Sequence, residues 1–238
     1  MNTDAQGIIG AAMSLFAAMT WAGDLPPDKY KEWTTQQEIY VPMRDGVRLS
    51  TDVALPKGAT GRLPTILIRT PYDRDRLDAL MRYDMYLKQG YAVVLQNERG
   101  RFFSEGDYSN YLQGASKDGY DTIDWIAKQP WSNGKVGTFG CSSPGEQQWP
   151  MAAANHPAHA AMIPYASGTA VGSIPGNETR GAFYRGGVPW IGMWAWWYSQ
   201  LAASERLLLP ADSTPEQRVR LRNTYSLTST NFSMTPSP

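Results

Sequence analysis

Cysteine and histidine are the scarce residues of this 238-residue chain: one cysteine, Cys141, and two histidines, His156 and His159. A single thiol excludes an intrachain disulfide and a thiolate zinc cluster. No histidine, cysteine and carboxylate group falls at ligand spacing, so neither a metal nor another cofactor is expected. Net charge is missing too, with 22 Lys+Arg against 22 Asp+Glu. No overall field therefore draws the chain to nucleic acid or to an anionic membrane. No apolar run reaches the ~20 residues of an integral membrane span. Aromatic residues, by contrast, are plentiful: nine tryptophans and thirteen tyrosines suggest an aromatic-lined surface or cleft. At 42% hydrophobic the chain can bury one sizeable core, hence one domain or one domain plus an appendage.

The first apolar stretch, 8–22, is small-residue-rich and precedes Gly23-Asp24 and Pro26-Pro27. It reads as the h-region of a signal peptide over 1–22, which places the protein in the periplasm or outside the cell. Against this, Met1 to Gly7 carries Asp4 and no Lys or Arg. An apolar N-terminal helix docked on a cytoplasmic domain is the alternative. The polar, proline-bearing stretch that follows, 23–35, reads as a linker.

From there the pattern alternates. Runs at 38–44 and 49–55 are β-like and joined by Asp45-Gly46, a hairpin signal. Positions 63–69 form a nearly continuous apolar strand. Helical spacing of Leu80, Met81, Met85 and Leu87 over 78–89 ends at Gly90, and 91–96 is a strand without alternation, buried on both faces. A helix is predicted over 117–128 with Tyr120, Ile123, Ile126 and Ala127 inward. A strand over 135–139, a helix to about 155 and a strand over 161–166 follow. This order predicts an α/β fold with a largely parallel sheet, whose ligands bind beyond the carboxyl ends of the strands. Past Ser167 the chain is punctuated by Gly, Pro and Asn. A helix over 188–203 then carries Trp190, Trp194 and Trp197 on one aromatic face.

The chemistry centres on Gly140-Cys141-Ser142-Ser143-Pro144-Gly145. A strand, a glycine-flanked turn and a helix match a nucleophile elbow, with Ser142 at the apex and the Ser143 N–H as an oxyanion donor. Pro144 suits the first helical turn, where its missing N–H costs nothing. A strand-to-helix turn of small polar residues without chemistry fits the same letters. Arg69-Thr70-Pro71-Tyr72-Asp73 follows the third strand, where this architecture places its other oxyanion donor. The Tyr72 hydroxyl suits that task, and a tight turn with a packed ring is the alternative. The loop 97–107 mixes charges and glycines, so Arg99 or Arg101 is expected to pair with Asp73 or Glu105 as structural staples.

Taken together, R-T-P-Y-D at 69–73, E-R-G-R-F-x-S-E-G at 98–106 and G-C-S-S-x-G at 140–145 resemble the Xaa-Pro dipeptidyl-peptidase and cocaine-esterase group of α/β-hydrolases. That group also contains α-amino-acid ester hydrolases and acylases acting on β-lactams. The resemblance covers 36–170. It implies an α/β-hydrolase fold with a helical cap after the sixth strand, Ser142 as nucleophile, and Tyr72 with the Ser143 N–H as oxyanion hole. It also implies hydrolysis of small-molecule esters, amides or peptides through an acyl-enzyme. Two departures stand out: Ser143 occupies a position that is usually tyrosine, and Asn97 one that is often aspartate.

The triad of this fold runs Ser, then Asp or Glu, then His, yet no histidine follows His159. His156 and His159 sit at the far end of the elbow helix, roughly 15 Å from Ser142, and read as structural. Glu146, one turn into that helix, reads as a neighbour of the site or a helix N-terminal charge. No two apolar strands are legible over 204–238. The chain therefore reads as an α/β-hydrolase truncated within its cap (171–238), a fragment with the triad acid and base absent. A binding-only paralogue is the alternative. Trp190, Trp194 and Trp197 suit substrate lining and, if exposed, self-association. A membrane-surface role would need a basic polar face, which 188–203 lacks.

Overall fold

The computed structural model describes residues 33–72, 74, 83–108, 112, 114–167, 184–185, 187–196, 213–214 and 216–217. The expected signal peptide and most of the linker lie outside the described residues. β1 (Trp33–Pro42) and β2 (Arg48–Pro56) pair antiparallel through the predicted turn. Gly46 takes φ 86° there, a conformation that costs glycine little. β1 already begins at Trp33, whose partner is Pro56, so the last three residues of the expected linker, 33–35, are strand. Their polar letters concealed a pairing whose only signal is long-range.

β3 (Leu63–Thr70), β4 (Ala92–Asn97), β5 (Ser132–Cys141) and β6 (His159–Tyr165) complete a six-stranded sheet of order β1-β2-β4-β3-β5-β6. β4, β3, β5 and β6 are mutually parallel, while β2 meets β4 antiparallel. Apolar runs without alternation arise because both faces are covered. Ile66, Ile68, Val93 and Leu95 pack with Leu87 of α1 (Tyr83–Lys88). Leu67, Val94 and Val136 point the other way, onto Ile123 and Ile126 of α2 (Ala115–Ala127) and onto Met151. Tyr120 and Ala127, expected inward, are only partly buried, and Gly119 and Thr122 take the buried face instead.

The predicted elbow helix is two short helices, α3 (Ser143–Glu146) and α4 (Gln148–Ala153). Pro150 explains the break, since it has no N–H to give the Glu146 carbonyl and its ring crowds that group. The helix expected over 188–203 starts later. Val188–Pro189 (β8) instead pairs with Tyr184–Arg185 (β7) around Gly187 at φ 85°. Pro189 disfavours the helical region for Val188, and α5 occupies Ile191–Trp196. Among the described residues no helix is long and apolar enough to cross a membrane.

Candidate active site

Ser142 sits between β5 and α3 at φ 62°, ψ −127°, a region that a non-glycine residue holds only under constraint. The constraints are visible. Its N–H donates to the Tyr165 carbonyl at 3.1 Å, and its own carbonyl accepts from the Gly145 and Glu146 N–H groups at 2.8 and 2.9 Å. The two motif glycines permit this crossing. A Cβ on Gly140 would lie 2.5 Å from Pro144 Cβ, and one on Gly145 would lie 2.6 Å from the Tyr165 carbonyl oxygen. The spacing of the motif is therefore a packing requirement: each glycine lets helix and strand approach within a methyl radius.

β3 and β5 are neighbours, so the turns at their carboxyl ends emerge side by side. This brings the Tyr72 hydroxyl to 3.3 Å from Ser142 Oγ across 70 residues of sequence. Burial pushes the Tyr72 phenol up to about 12, while the Ser142 hydroxyl and the Ser143 N–H pull it back. The phenol thus keeps its proton through the neutral range and stays a donor. Ser143 itself is buried, and its Oγ has no hydrogen-bond partner among the described residues.

The loop after β4 lies on the other side of β3 and clamps the Tyr72 turn. The Glu98 N–H reaches the Thr70 carbonyl at 2.9 Å, and Arg101 Nε reaches the Pro71 carbonyl at 2.8 Å. Gln147, at the break between α3 and α4, donates to both the Glu98 carboxylate and the Arg69 carbonyl, tying elbow to loop. Burial lifts the Glu98 carboxyl to about 7, opposed by Arg69 and Arg101. Arg99 and Glu105 find partners other than each other. Arg99 pairs with Asp118 at 2.7 Å and Asp45 at 2.8 Å, and Glu105 pairs with Arg48. Asp118, buried on α2, supplies the acceptor that local sequence did not suggest. Asp73 lies outside the described residues.

Neither histidine reaches the elbow. His159 Nε2 is 3.0 Å from Thr138 Oγ1, and His156 packs edge-on to Tyr120 while its Nδ1 accepts from the Ala158 N–H. The His159 ring lies on Thr138, four residues before Ser142 on β5, about 13 Å away along the strand. Glu146 is 4% exposed and close enough to Tyr72 to raise its phenol. Trp190 is exposed, Trp194 lies in α5 with its side chain outside the description, and Trp197 is not described. Among the described residues no three His, Cys, Asp or Glu side chains are placed to hold a metal ion. Sequence reasoning missed Gln147, a polar residue beside a helix break, and noted Asn97 as a departure without its contact to the Tyr72 carbonyl.

A parallel sheet with a strained serine elbow at its carboxyl edge defines an α/β-hydrolase. More narrowly, the family model for X-Pro dipeptidyl-peptidases (S15 family) matches residues 45–231, and the chain belongs to that family. It is 40% identical over 121 residues to cocaine esterase of Rhodococcus sp. (strain MB1 Bresler), covering 49% of this chain and 21% of that protein. An α-amino acid ester hydrolase structure matches with TM-score 0.51 and 34% identity, over 60% of this chain and 28% of that one. A CocE/NonD family hydrolase of Staphylococcus aureus matches with TM-score 0.59 and 24% identity, over 84% of this chain and 36% of that one, a likeness of fold. The chain thus spans about a fifth to a third of the length of these three proteins.

Proposed function

We propose that Ser142 is the nucleophile of a serine hydrolase that cleaves ester or amide bonds, of acyl or dipeptidyl-peptidase type, through an acyl-enzyme. The observation that carries this reading is the Ser142 elbow at φ 62° with the Tyr72 hydroxyl 3.3 Å from its Oγ. Ser142 Oγ bonds to the substrate carbonyl carbon as its proton passes to a base. The carbonyl oxygen takes up the electron pair and accepts from the Tyr72 O–H and the Ser143 N–H. Such preorganised donors act where charge develops in the transition state. The carbon–heteroatom bond then breaks, the alcohol or amine leaves with the proton, and the acyl group stays on Ser142. Water repeats the sequence, releasing the acid and restoring the serine.

With His156 and His159 engaged away from the elbow, neither supplies the base of this reading. The chain alone is expected to react slowly, driven by the oxyanion hole without the base. Trp190 suits an apolar or aromatic acyl group. The test is incubation of the chain with p-nitrophenyl acetate, followed by peptide mapping by mass. Acetyl on the Ser142 peptide, lost in Ser142→Ala, is the expected result. Equal p-nitrophenol release by Ser142→Ala would overturn it. The engaged histidines also favour a second reading, a paralogue that binds but does not cleave, which predicts no acetyl at Ser142 even when an acid- and histidine-bearing segment is supplied.

A further inference from the structure

We propose that Asn97 is a positioning residue for the Tyr72 hydroxyl, acting through the backbone of the turn after β3. The inference rests on the reading of Tyr72 as an oxyanion donor. Asn97 is the last residue of β4, pairs with Thr70, and is 1% exposed. Its Nδ2 donates to the Tyr72 carbonyl at 2.7 Å and to the Thr70 carbonyl at 3.4 Å. Its Oδ1 accepts from Arg74 Nη1 at 2.7 Å. The amide orientation follows from chemistry, because a guanidinium only donates and a carbonyl only accepts.

Arg74 is itself buried and held. Its Nε donates to Asp52 at 2.9 Å, and its Nη1 donates to Ser50 Oγ at 2.8 Å. From the backbone side, the Asn97 carbonyl accepts from Ser104 Oγ at 2.9 Å. The side chain thus transmits the rigidity of β2 and β4 to the one carbonyl that belongs to Tyr72. The Tyr72 N–H is tied locally, to Thr70 Oγ1 at 2.9 Å. With both its N–H and its carbonyl anchored, the Cα–Cβ bond that aims the phenol is fixed, and the ring packs against the cluster of Ile66, Ile68 and Leu95.

An amide is needed because the position asks for a donor on one side and an acceptor on the other. Aspartate matches the size and satisfies Arg74, but sets a carboxylate oxygen against two carbonyl oxygens. Misplacement of a catalytic donor by about an ångström can cost up to a hundredfold in rate.

The experiment is a double-mutant cycle on acylation of Ser142 by p-nitrophenyl acetate, comparing wild type, Asn97→Asp, Tyr72→Phe and the double variant. Asn97→Asp is expected to slow acylation about tenfold or more, and to add less than about twofold in the Tyr72→Phe background, the mark of two residues acting as one unit. Additive losses would overturn the proposal, as would an unchanged rate in Asn97→Asp. In parallel, chains labelled with 13Cζ-tyrosine report the Tyr72 resonance, assigned by its loss in Tyr72→Phe. Asn97→Asp should shift that resonance and leave that of Tyr120 in place; an unmoved Tyr72 resonance refutes positioning. If wild type shows no acylation even when an acid- and histidine-bearing segment is supplied, the hydrolase reading fails, and the resonance alone still decides whether Asn97 places Tyr72. Should Asn97→Asp fail to fold, Asn97→Ser, which brings no charge, goes through the same measurements.

Discussion

Gly145→Ala sets two physical effects against each other at the elbow. Gly145 lies in α3 and is absent from the residues with positive φ, so alanine can adopt its backbone conformation. Helix propensity alone then predicts stabilisation by about 1 kcal/mol. Packing predicts the reverse. The added Cβ would stand 2.6 Å from the Tyr165 carbonyl oxygen, 2.9 Å from the Gly140 carbonyl oxygen and 3.1 Å from Ser167 Cβ. Carbon–oxygen contacts normally settle at about 3.3–3.6 Å, so the methyl is too close by about 0.7 Å. The nearest obstacles are backbone atoms of β5 and β6, which cannot rotate aside. Overpacking costs about 1–3 kcal/mol. The Tyr165 carbonyl that must retreat also accepts the Ser142 N–H, and losing that bond costs about another 1 kcal/mol. The net expectation is a loss of about 1–3 kcal/mol, together with slower acylation of Ser142. Urea unfolding of the two proteins measures it. A variant that unfolds at the same or a higher urea concentration would show that the close crossing of helix and strand is not what the glycine is for.

Two further substitutions probe the polar layer beneath the site. Burial lifts Glu98 from 4.5 to about 7, so the folded state binds its proton more tightly than the unfolded chain. Stability is therefore lost as pH rises from about 4.5 to about 7, by about 3 kcal/mol for that shift. His159 runs the other way, because burial lowers its pKa and the fold gains stability as pH rises toward 6.5. The difference between wild type and Glu98→Gln in urea midpoints from pH 4.5 to 7.5 isolates the carboxyl, and parallel curves would refute the assignment. Asp118→Ala removes the acceptor of Arg99 Nε and Nη2 and the nearest carboxylate to buried Arg69. Leaving a buried cation unpaired costs about 3–5 kcal/mol, and a thermal midpoint within a degree of wild type would refute the network.

Much of the sheet was legible because its signals are local. Asp45-Gly46 marks the first hairpin, and the unbroken apolar letters of β3 and β4 mark strands covered on both faces. The elbow was legible for the same reason, since Gly140, Ser142 and Gly145 lie within six residues of one another. Helix bounds were less so. Pro150 divides the elbow helix through its missing N–H and its ring, and Pro189 delays α5 by disfavouring the helical region for Val188. The partner of Arg99 was misread because a charged side chain carries no address. Arg99 finds Asp118 only because α2 lies over the end of β4.

The sequence by itself determined that a serine stands at a strained strand-to-helix turn, that an aromatic hydroxyl follows the third strand, and that no histidine lies beyond His159. These are statements about neighbours in the chain, where covalent geometry and residue spacing act directly. Only the tertiary structure decided that β3 lies between β4 and β5. That order places Tyr72 against Ser142, turns the Asn97 amide toward the Tyr72 carbonyl, and leaves both histidines short of the elbow. Such contacts join residues 25 and 70 positions apart. They follow from how helices on two faces fold a twisted parallel sheet, which no local pattern encodes.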